Sequence, residues 1–346
     1  MQALRFLAFY NKNFCTNNYN AFALPNHHHK TWFLHLPLLW ANLVGSVIGN
    51  TYTHKTTINM AFNTAVFKTR ALTSLVFVAV MLAGLQVNQW TFFLLFSVIH
   101  FGCWVEYQKL LGKINAAYAG INPLHKYAIM LAGWGFMLLM TSGAYKIGYL
   151  NLAVSGKRLL YIMPLIVVLS EIFFSKGKLN VKQLGYSLLG LAYISLPCGL
   201  LVQIWSKGIN YDTDFGFIPV MLLIASIWIN DTMAYLVGSF IGKTPFSKVS
   251  PKKTWEGTVG GAVLAIVAVS LLSKLILGTD ILLVMIMVLI AVVFGTAGDL
   301  LESWLKRKAN VKDSGSIMPG HGGFLDRFDS LLIATPFVWL YVEFVL

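Results

Sequence analysis

The sequence is poor in charged residues. Only 11% of its 346 residues are Asp, Glu, Lys or Arg, whereas 57% are hydrophobic. A soluble domain carries about 25% charged residues, so a chain this depleted has most of its surface facing something other than water. The composition argues against an ordinary soluble protein and predicts an integral membrane protein.

Acidic residues are especially scarce, with 13 Asp and Glu against 26 Lys and Arg and a formal net charge of +13. In a soluble protein this excess would suggest a nucleic-acid partner. In a membrane protein it is expected from the loops that stay in the cytoplasm, where Lys and Arg accumulate. We therefore predict membrane lipids, and not nucleic acid, as the surroundings of these basic residues.

Cysteine is rare too, and the three present, Cys15, Cys103 and Cys198, lie far apart. Their spacing contains no CxxC pair and no metal-ligand pattern. The sequence also shows no Ser–His–Asp arrangement, so no protein nucleophile is indicated. It contains no convincing internal repeat of the kind that many transporters have.

Long apolar stretches are plentiful. A spanning helix needs roughly 20 mostly apolar residues, and about nine segments meet this requirement. They are 70–87, 89–107, 127–145, 158–175, 183–205, 217–240, 257–277, 281–300 and 330–346. Several contain Gly or a polar residue, which neighbouring helices tolerate inside a bundle. We expect an all-α, polytopic helix bundle with about nine transmembrane helices.

The basic residues predict the orientation of these spans. If the segment before the first span is cytoplasmic, most Lys and Arg residues near span ends fall on the cytoplasmic side. The opposite side holds Lys146, Lys157, Arg158 and Lys207. The two longest charged loops, 241–256 and 301–329, then share the cytoplasmic face, as two halves of one site must.

Residues 1–59 do not fit this pattern. They are rich in His, Asn and Thr and contain one interrupted apolar stretch, 32–49. That stretch comes too late for a tidy signal peptide, whereas Met60 is followed by a clean first span. We expect residues 1–59 to be a poorly ordered or dispensable extension and residues 60–346 to form the transmembrane domain.

Carboxylates cluster around the last charged loop. Asp299 and Glu302 lie three residues apart at the end of the eighth span, which places both on one helix face. Asp326 and Asp329 repeat this spacing just before the ninth span. Carboxylates are ligands of hard cations such as Mg²⁺, in sites that leave room for substrate phosphates. Because ionisable groups near a membrane are costly, the segment is a candidate metal and phosphate site.

The same loop carries cations and glycines. Four basic side chains can neutralise phosphate: Lys306, Arg307, Lys308 and Lys312. Four glycines let the backbone approach a ligand closely: Gly315, Gly320, Gly322 and Gly323. His321, between glycines, could donate to a phosphate oxygen. An ordinary positive-inside loop would explain the cations but not the flanking carboxylates or the glycines.

A second candidate segment precedes the seventh span. Asp231 lies inside an apolar span, where a bare carboxylate costs about 3 kcal/mol on insertion scales, so a metal or a Lys is expected beside it. A helix–helix hydrogen bond is the alternative.

Ser250, Lys252 and Lys253 lie at the predicted membrane surface. Attraction to anionic lipids, at roughly 1 kcal/mol each, would by itself explain the two Lys residues.

Other polar residues in apolar stretches are interpreted as structural. Glu171 is expected to pair with Lys176, Glu106 to form a hydrogen bond in the core, and His100 to be a satisfied bundle histidine. None of these residues is counted among the candidate site residues.

The polar residues of the last loop follow a pattern that resembles the phosphatidate cytidylyltransferase family, also called CDP-diacylglycerol synthases. The pattern is carried by Ser303, Leu305, Lys306, Arg307, Lys312, Asp313, Gly315, Pro319, His321, Gly322, Gly323, Phe324, Asp326, Arg327, Phe328 and Asp329. Met318 is a conservative departure, since the family usually has Leu, Ile or Phe there. The segments 250–257 and 231–232 also resemble the family, and the likeness covers residues 60–346.

The resemblance implies a reaction in which CTP and phosphatidate give CDP-diacylglycerol and pyrophosphate with Mg²⁺. The lipid phosphate would attack the α-phosphorus of CTP, so two anions must meet and catalysis rests on charge neutralisation and positioning. A metal ion could bridge the substrates and stabilise the leaving group. The catalytic region would be 228–329, facing the cytoplasm from a bacterial inner membrane. A second metal ion and a homodimer are left open.

The resemblance also implies roles for individual residues. The expected catalytic residues are Asp299, Asp326, Lys306, Arg307 and His321. The expected metal ligands are Asp299, Asp326, Asp329 and Asp231. The expected substrate contacts are Ser250, Lys252, Lys253, Lys312, Gly322, Gly323 and Arg327. Among these cationic groups, Lys252 and Lys253 would take the lipid phosphate, and the triphosphate would be held by Lys306, Arg307, Lys312 and His321.

Other functions fit parts of the pattern. A CTP-using lipid kinase or a cytidylyltransferase for an ether lipid would need similar loop chemistry, but a kinase releases CDP and not pyrophosphate. A transporter could use Asp231 and Glu106 as ion-binding groups, although the polar residues gather at one predicted face and not at mid-membrane. A purely structural membrane scaffold explains less of the pattern.

Overall fold

The computed structural model describes residues 64–141, 145–174, 181–210, 216–316 and 322–346. The helices in these ranges are α1 (Thr64–Gln86), α2 (Gln89–Ile114), α3 (Ala116–Ala119), α4 (Pro123–Leu139), α5 (Leu152–Phe174), α6 (Val181–Gly190), α7 (Leu196–Asn210), α8 (Phe217–Ile241), α9 (Trp255–Leu277), α10 (Ile281–Lys308) and α11 (Leu325–Phe344). A two-stranded antiparallel hairpin, β1 (Lys146–Ile147) and β2 (Leu150–Asn151), precedes α5. The expected all-α architecture is confirmed. The predicted extension, 1–59, lies outside the described residues.

Six helical segments of the described chain are long and apolar enough to cross a membrane. They are α2, α5, the continuous segment Val181–Lys207, α8, α9 and α10. The stretch Leu72–Gln86 within α1 is apolar but shorter, and α4 has 17 residues. Each of the nine predicted spans overlaps helical structure, so the membrane class is supported, while the number of crossings stays a prediction.

Side-chain caps determine where two of these helices begin. Asn88 Oδ1 accepts hydrogen bonds from the backbone N–H groups of Trp90 and Thr91 at 2.8 and 3.0 Å, and the Thr91 hydroxyl accepts from Asn88 N, which completes a capping box for α2. Asn122 caps α4 and Pro123 is its first residue. The helix therefore begins four residues before the predicted span 127–145, and it ends at Leu139.

The predicted span 183–205 is not one regular helix. A π-helical turn, Leu191–Ser195, separates α6 from α7. Pro197 has no N–H to donate to the carbonyl of Tyr193, and helices absorb such a missing bond by a local change of winding. On this turn the Ser195 hydroxyl lies 2.9 Å from both Trp104 Nε1 and His100 Nε2. His100 is fully buried in the bundle, but it is satisfied only at Nε2, because its Nδ1 has no hydrogen-bond partner among the described residues.

Close glycine contacts bring helices together in pairs. A Cβ at Gly156 of α5 would lie 2.5 Å from Leu139 N of α4, and one at Gly261 of α9 would lie 2.5 Å from Ala234 N of α8. At Gly298 of α10 a Cβ would collide with the backbone carbonyl of Asp329 in α11. Small residues permit such close backbone packing between membrane helices. The α10–α11 contact places two of the acid-bearing helix ends side by side.

Ion pairs at the two ends of the bundle agree with the predicted sidedness. Lys253, in the loop between α8 and α9, forms an ion pair with Asp299 of α10. Lys207 of α7, which was predicted on the other side of the membrane, lies 2.5 Å from Glu343 Oε2 of α11. The two charged loops therefore meet at one end of the bundle.

Candidate active site at one end of the helix bundle

Lys306 connects the end of α10 with the start of α11. Its ammonium lies 2.5 Å from Glu302 Oε2, one helical turn earlier, and 2.7 Å from Asp326 Oδ1. Glu302 is fully buried, and a buried carboxylate is tolerated only when it is paired. Among the described residues no hydrogen-bond partner reaches Glu302 Oε1. One cation therefore serves two carboxylates, which leaves acceptor capacity at the site.

Asp326 also organises the backbone in front of α11. Its Oδ2 accepts hydrogen bonds from Ser314 N at 2.9 Å and from Gly323 N at 2.7 Å, and it lies 2.9 Å from Ser314 Oγ. Gly322 has φ +82°, a conformation that favours glycine, and a Cβ there would lie 2.5 Å from Asp326 Oδ2. The predicted glycines thus let the chain fold tightly around this carboxylate.

A second group of charges surrounds Lys253. Its ammonium forms an ion pair with Asp299 and interacts electrostatically with Asp231 and Asp329. Burial lowers the pKa of Lys253, and the two Asp carboxylates oppose that shift. Asp231 thus has the Lys neighbour expected from its position in an apolar span, and Asn230 Nδ2 lies 3.4 Å from its Oδ1.

The backbone of the α8–α9 loop holds Lys253 in place. Phe246 N donates to the carbonyl of Lys253 at 2.7 Å, and Trp255 N donates to Thr244 O at 2.9 Å. The Glu256 carboxylate accepts from the backbone N–H groups of Lys243 and Thr244. These hydrogen bonds join the two halves of the loop to each other. Lys253 is therefore held in a defined position next to α10.

The remaining predicted site residues lie apart from these contacts. Lys252, Arg307, Lys312 and Arg327 are exposed, and Ser250 is half-buried. Arg327 is close enough for its charge to act on Asp231. His321 lies outside the described residues. The two predicted Lys neighbours, Lys252 and Lys253, are therefore not equivalent.

The predicted metal ligands fall into two groups. Asp231, Asp299 and Asp329 act on Lys253, whereas Asp326 binds Lys306 and the loop backbone. Within the described ranges no three His, Cys, Asp or Glu side chains already form a ready-made ion site. The assignment of these four carboxylates as metal ligands stays a prediction.

Three polar residues that are not among the predicted site residues take part in the site: Glu106, Glu302 and Ser314. Glu106 of α2 accepts hydrogen bonds from Ser314 Oγ at 2.7 Å and from the backbone N–H groups of Phe324 and Leu325 at 2.9 Å. Glu302 holds Lys306, and Ser314 joins Glu106 to Asp326. The one signal for Glu106 was a carboxylate within an apolar span, which is a functional hypothesis by default.

A second buried polar chain lies elsewhere, between α4, α5 and α6. His125 Nδ1 lies 2.7 Å from Glu171 Oε1, and His125 Nε2 lies 2.9 Å from Ser187 Oγ. The sequence had suggested no Ser–His–Asp arrangement, and here a glutamate takes the acid position. His125 and Ser187 are fully buried, so no substrate reaches the hydroxyl. The expected Glu171–Lys176 pair involves a residue outside the described ranges.

The fold and the site together define a class: a polytopic helical membrane protein with a cluster of carboxylates and lysines at one end of its bundle. The sequence profile of the cytidylyltransferase family matches residues 68–345. The chain belongs to the cytidylyltransferase family, which confirms the resemblance carried by Ser303 to Asp329.

The chain is also similar to curated proteins that are named phosphatidate cytidylyltransferases. The chain is 35% identical over 196 residues to "Phosphatidate cytidylyltransferase 5, chloroplastic" of Arabidopsis thaliana, covering 51% of this chain and 49% of that protein. It is 35% identical over 173 residues to the phosphatidate cytidylyltransferase of Staphylococcus saprophyticus, covering 49% and 63%. Staphylococcus aureus (strain COL) has a similar relative, 35% identical over 172 residues. The matched region thus spans between half and two thirds of these relatives.

Proposed function

We propose that this protein is a phosphatidate cytidylyltransferase, which transfers CMP from CTP to phosphatidate in phospholipid biosynthesis. The family membership and the names of the relatives support this activity. The observation that carries the proposal is the contact of Lys253 with Asp299. It joins the 250–257 segment to the 299–329 segment, so the groups proposed for the lipid phosphate and for the nucleotide lie in one site.

The reaction joins two anions, and the site offers cations for both. An oxygen of the lipid phosphate attacks the α-phosphorus of CTP, the bond to the β-phosphate oxygen breaks, and pyrophosphate leaves. Lys253 would hold the lipid phosphate and Lys306 the triphosphate, with exposed Arg307 and Lys312 adding charge. Fixed cations in a partly buried site stabilise such charge without reorganising at the moment of reaction. A protein nucleophile is unnecessary, because the lipid phosphate is already ionised.

Mg²⁺ fits the donor set. Asp299 pairs with Lys253, and the charges of Asp231 and Asp329 act on the same lysine. Carboxylates of this kind suit Mg²⁺ shared with substrate phosphates. We propose these three, together with Asp326, as its ligands. When bound, Mg²⁺ would neutralise the triphosphate and the departing pyrophosphate.

The location of the site follows from the distribution of charge. We propose that it faces the cytoplasm from a bacterial inner membrane, where CTP is available and where basic loops are retained. Phosphatidate would enter sideways between helices, with its acyl chains in the surrounding lipid. No nucleic-acid partner is expected. A homodimer is part of the proposal and is tested by the mass of the purified protein in detergent.

The test is a product analysis with purified protein in detergent, labelled CTP, phosphatidate and Mg²⁺. We expect a labelled CDP-lipid and one pyrophosphate for each lipid consumed, with no product from Asp326→Asn protein that still resides in the membrane. Release of CDP in place of pyrophosphate would identify a lipid kinase. Failure to form any CDP-lipid under varied conditions would refute the proposed function.

A further inference from the structure

Glu106 is a buried acid in α2, far along the sequence from the loop between α10 and α11. It contacts residues near both ends of that loop. It lies in α2 with 1% of its surface exposed. Its Oε1 accepts from Phe324 N, and its Oε2 accepts from Leu325 N, both at 2.9 Å. Oε2 also lies 2.7 Å from Ser314 Oγ. Both oxygens are therefore used, and all donors come from residues 314–325.

Two glycines make room for the Glu106 carboxylate. A Cβ at Gly315 or at Gly323 would collide with its carboxylate. Among the described residues no lysine or arginine forms an ion pair with Glu106. Its charge is therefore stabilised by backbone N–H groups and one hydroxyl, which are the groups that determine the path of the loop.

The contacts of Glu106 continue into the proposed site. The Ser314 hydroxyl that meets Glu106 lies 2.9 Å from Asp326 Oδ2, and Asp326 Oδ1 lies 2.7 Å from the Lys306 ammonium. Three elements thus converge: α2 through Glu106, the loop through Ser314, and the start of α11 through Asp326. Glu106 is thus linked to Asp326 and Lys306 through Ser314 without touching either of them.

We propose that Glu106 is a positioning residue of this active site: it fixes Ser314 and the turn 323–325 so that Asp326 and Lys306 face the nucleotide. The role rests on the proposed function, because it concerns CTP binding. Residues that orient ligand-binding groups commonly change affinity or activity about 10–100-fold when they are replaced.

The test variant is Glu106→Gln, which keeps the volume of the side chain. The amide has one acceptor oxygen, so its NH₂ group must face one of the two backbone N–H groups, a donor against a donor. The matched control is Glu171→Gln, because Glu171 is also a buried glutamate in a helix, 4% exposed, but it contacts His125 and not the loop.

Two readouts decide the question on detergent-purified full-length protein. Hydrogen–deuterium exchange is measured on peptides that contain Phe324 and Leu325, and steady-state kinetics give KM for CTP and kcat. We expect faster exchange and a KM for CTP raised about tenfold in Glu106→Gln, with a smaller change in kcat. Glu171→Gln should change neither readout.

Unchanged exchange, or faster exchange with an unchanged KM, overturns the positioning role. If Glu106→Gln does not accumulate, Ser314→Ala removes only the hydroxyl link. It should raise KM for CTP in the same direction, and a wild-type KM would count against the proposal. If the wild-type protein forms no CDP-lipid, the proposed function fails, while the exchange measurement still tests whether Glu106 holds the loop.

Discussion

Glu302 and Glu171 are both buried glutamates in helices of this bundle, yet their surroundings differ. Glu171 meets a histidine whose two ring nitrogens are both engaged, one by Glu171 and one by Ser187. Glu302 meets a lysine that it shares with Asp326, and its second oxygen has no hydrogen-bond partner in the described part of the chain. The first arrangement is fully paired, whereas the second leaves a buried carboxylate oxygen without a hydrogen-bond partner in the described part of the chain.

The difference shows that burial of an acid is not in itself a sign of chemistry. Buried polar groups that are fully satisfied rigidify a core, and the Glu171 chain, with His125 at its centre, joins α4, α5 and α6 in this way. Incomplete satisfaction, several carboxylates and shared cations mark the other end of the bundle. Four substitutions test this contrast.

The largest effect is expected at Lys306. Replacing it by Met leaves Glu302 and Asp326 without their shared cation and removes a positive charge from the nucleotide. We expect kcat/KM to fall about 10³-fold in the CDP-lipid assay, since a single lost group that stabilises transition-state charge costs 10²–10³. Lys308→Met is the control, because Lys308 is exposed and stacks over Trp304 at 5.7 Å. Equal losses in both variants would contradict the assignment.

A smaller effect is expected at Lys253, with its neighbour as an internal comparison. Lys253→Ala removes the ion pair with Asp299, and we expect kcat/KM to fall about 10²-fold. Lys252→Ala removes an exposed charge and should reduce kcat/KM by no more than about threefold, through weaker attraction to anionic lipid. Titration with phosphatidate in mixed micelles measures both. A reversed order would show that Lys252 carries the headgroup contact.

At Glu171 we expect a change of stability without a change of chemistry. Glu171→Gln keeps one acceptor for His125 but removes the charge, so the free energy of unfolding should fall by about 1–2 kcal/mol. Thermal unfolding in detergent measures this loss, and kcat at equal amounts of folded protein should stay within about twofold of wild type. A kcat as low as that of Lys306→Met would assign chemistry to the wrong region.

The smallest effect is expected at the opposite end of the bundle. Lys207 and Glu343 are each partly exposed, at 24% and 30%, and such pairs contribute about 0–1 kcal/mol. Glu343→Gln should leave both the melting temperature and kcat close to wild type. A large loss of activity would show that this end of the bundle is coupled to the site.

Hydropathy predicted the positions of the helices but not their polar ends. The eighth span was placed at 281–300, whereas α10 continues to Lys308 and carries Glu302 and Lys306 on its last turns. The ninth span was placed at 330–346, whereas α11 begins at Leu325 and includes Asp326. A hydropathy prediction ends a span where charged residues begin. Here the charged residues still lie on the helices, and they pair with one another.

The sequence predicted those parts of the site whose residues lie close together along the chain. Lys306 and Asp326 belong to one short motif, and the structure brings them together. Glu106 lies 208 positions from Ser314, and no spacing rule reaches across that separation. Its other two partners are backbone N–H groups, which exist at nearly every residue and leave no trace in the sequence. Only the packing of α2 against the loop reveals the contact.

The most direct test of this contrast is phosphatidate-dependent release of pyrophosphate from CTP by three proteins at equal folded concentration: wild type, Asp326→Asn and Glu171→Gln. We predict rapid release by wild type and by Glu171→Gln, and a rate at least about 10³-fold lower for Asp326→Asn. No release by the wild-type protein, or equal rates for Asp326→Asn and wild type, would contradict the account.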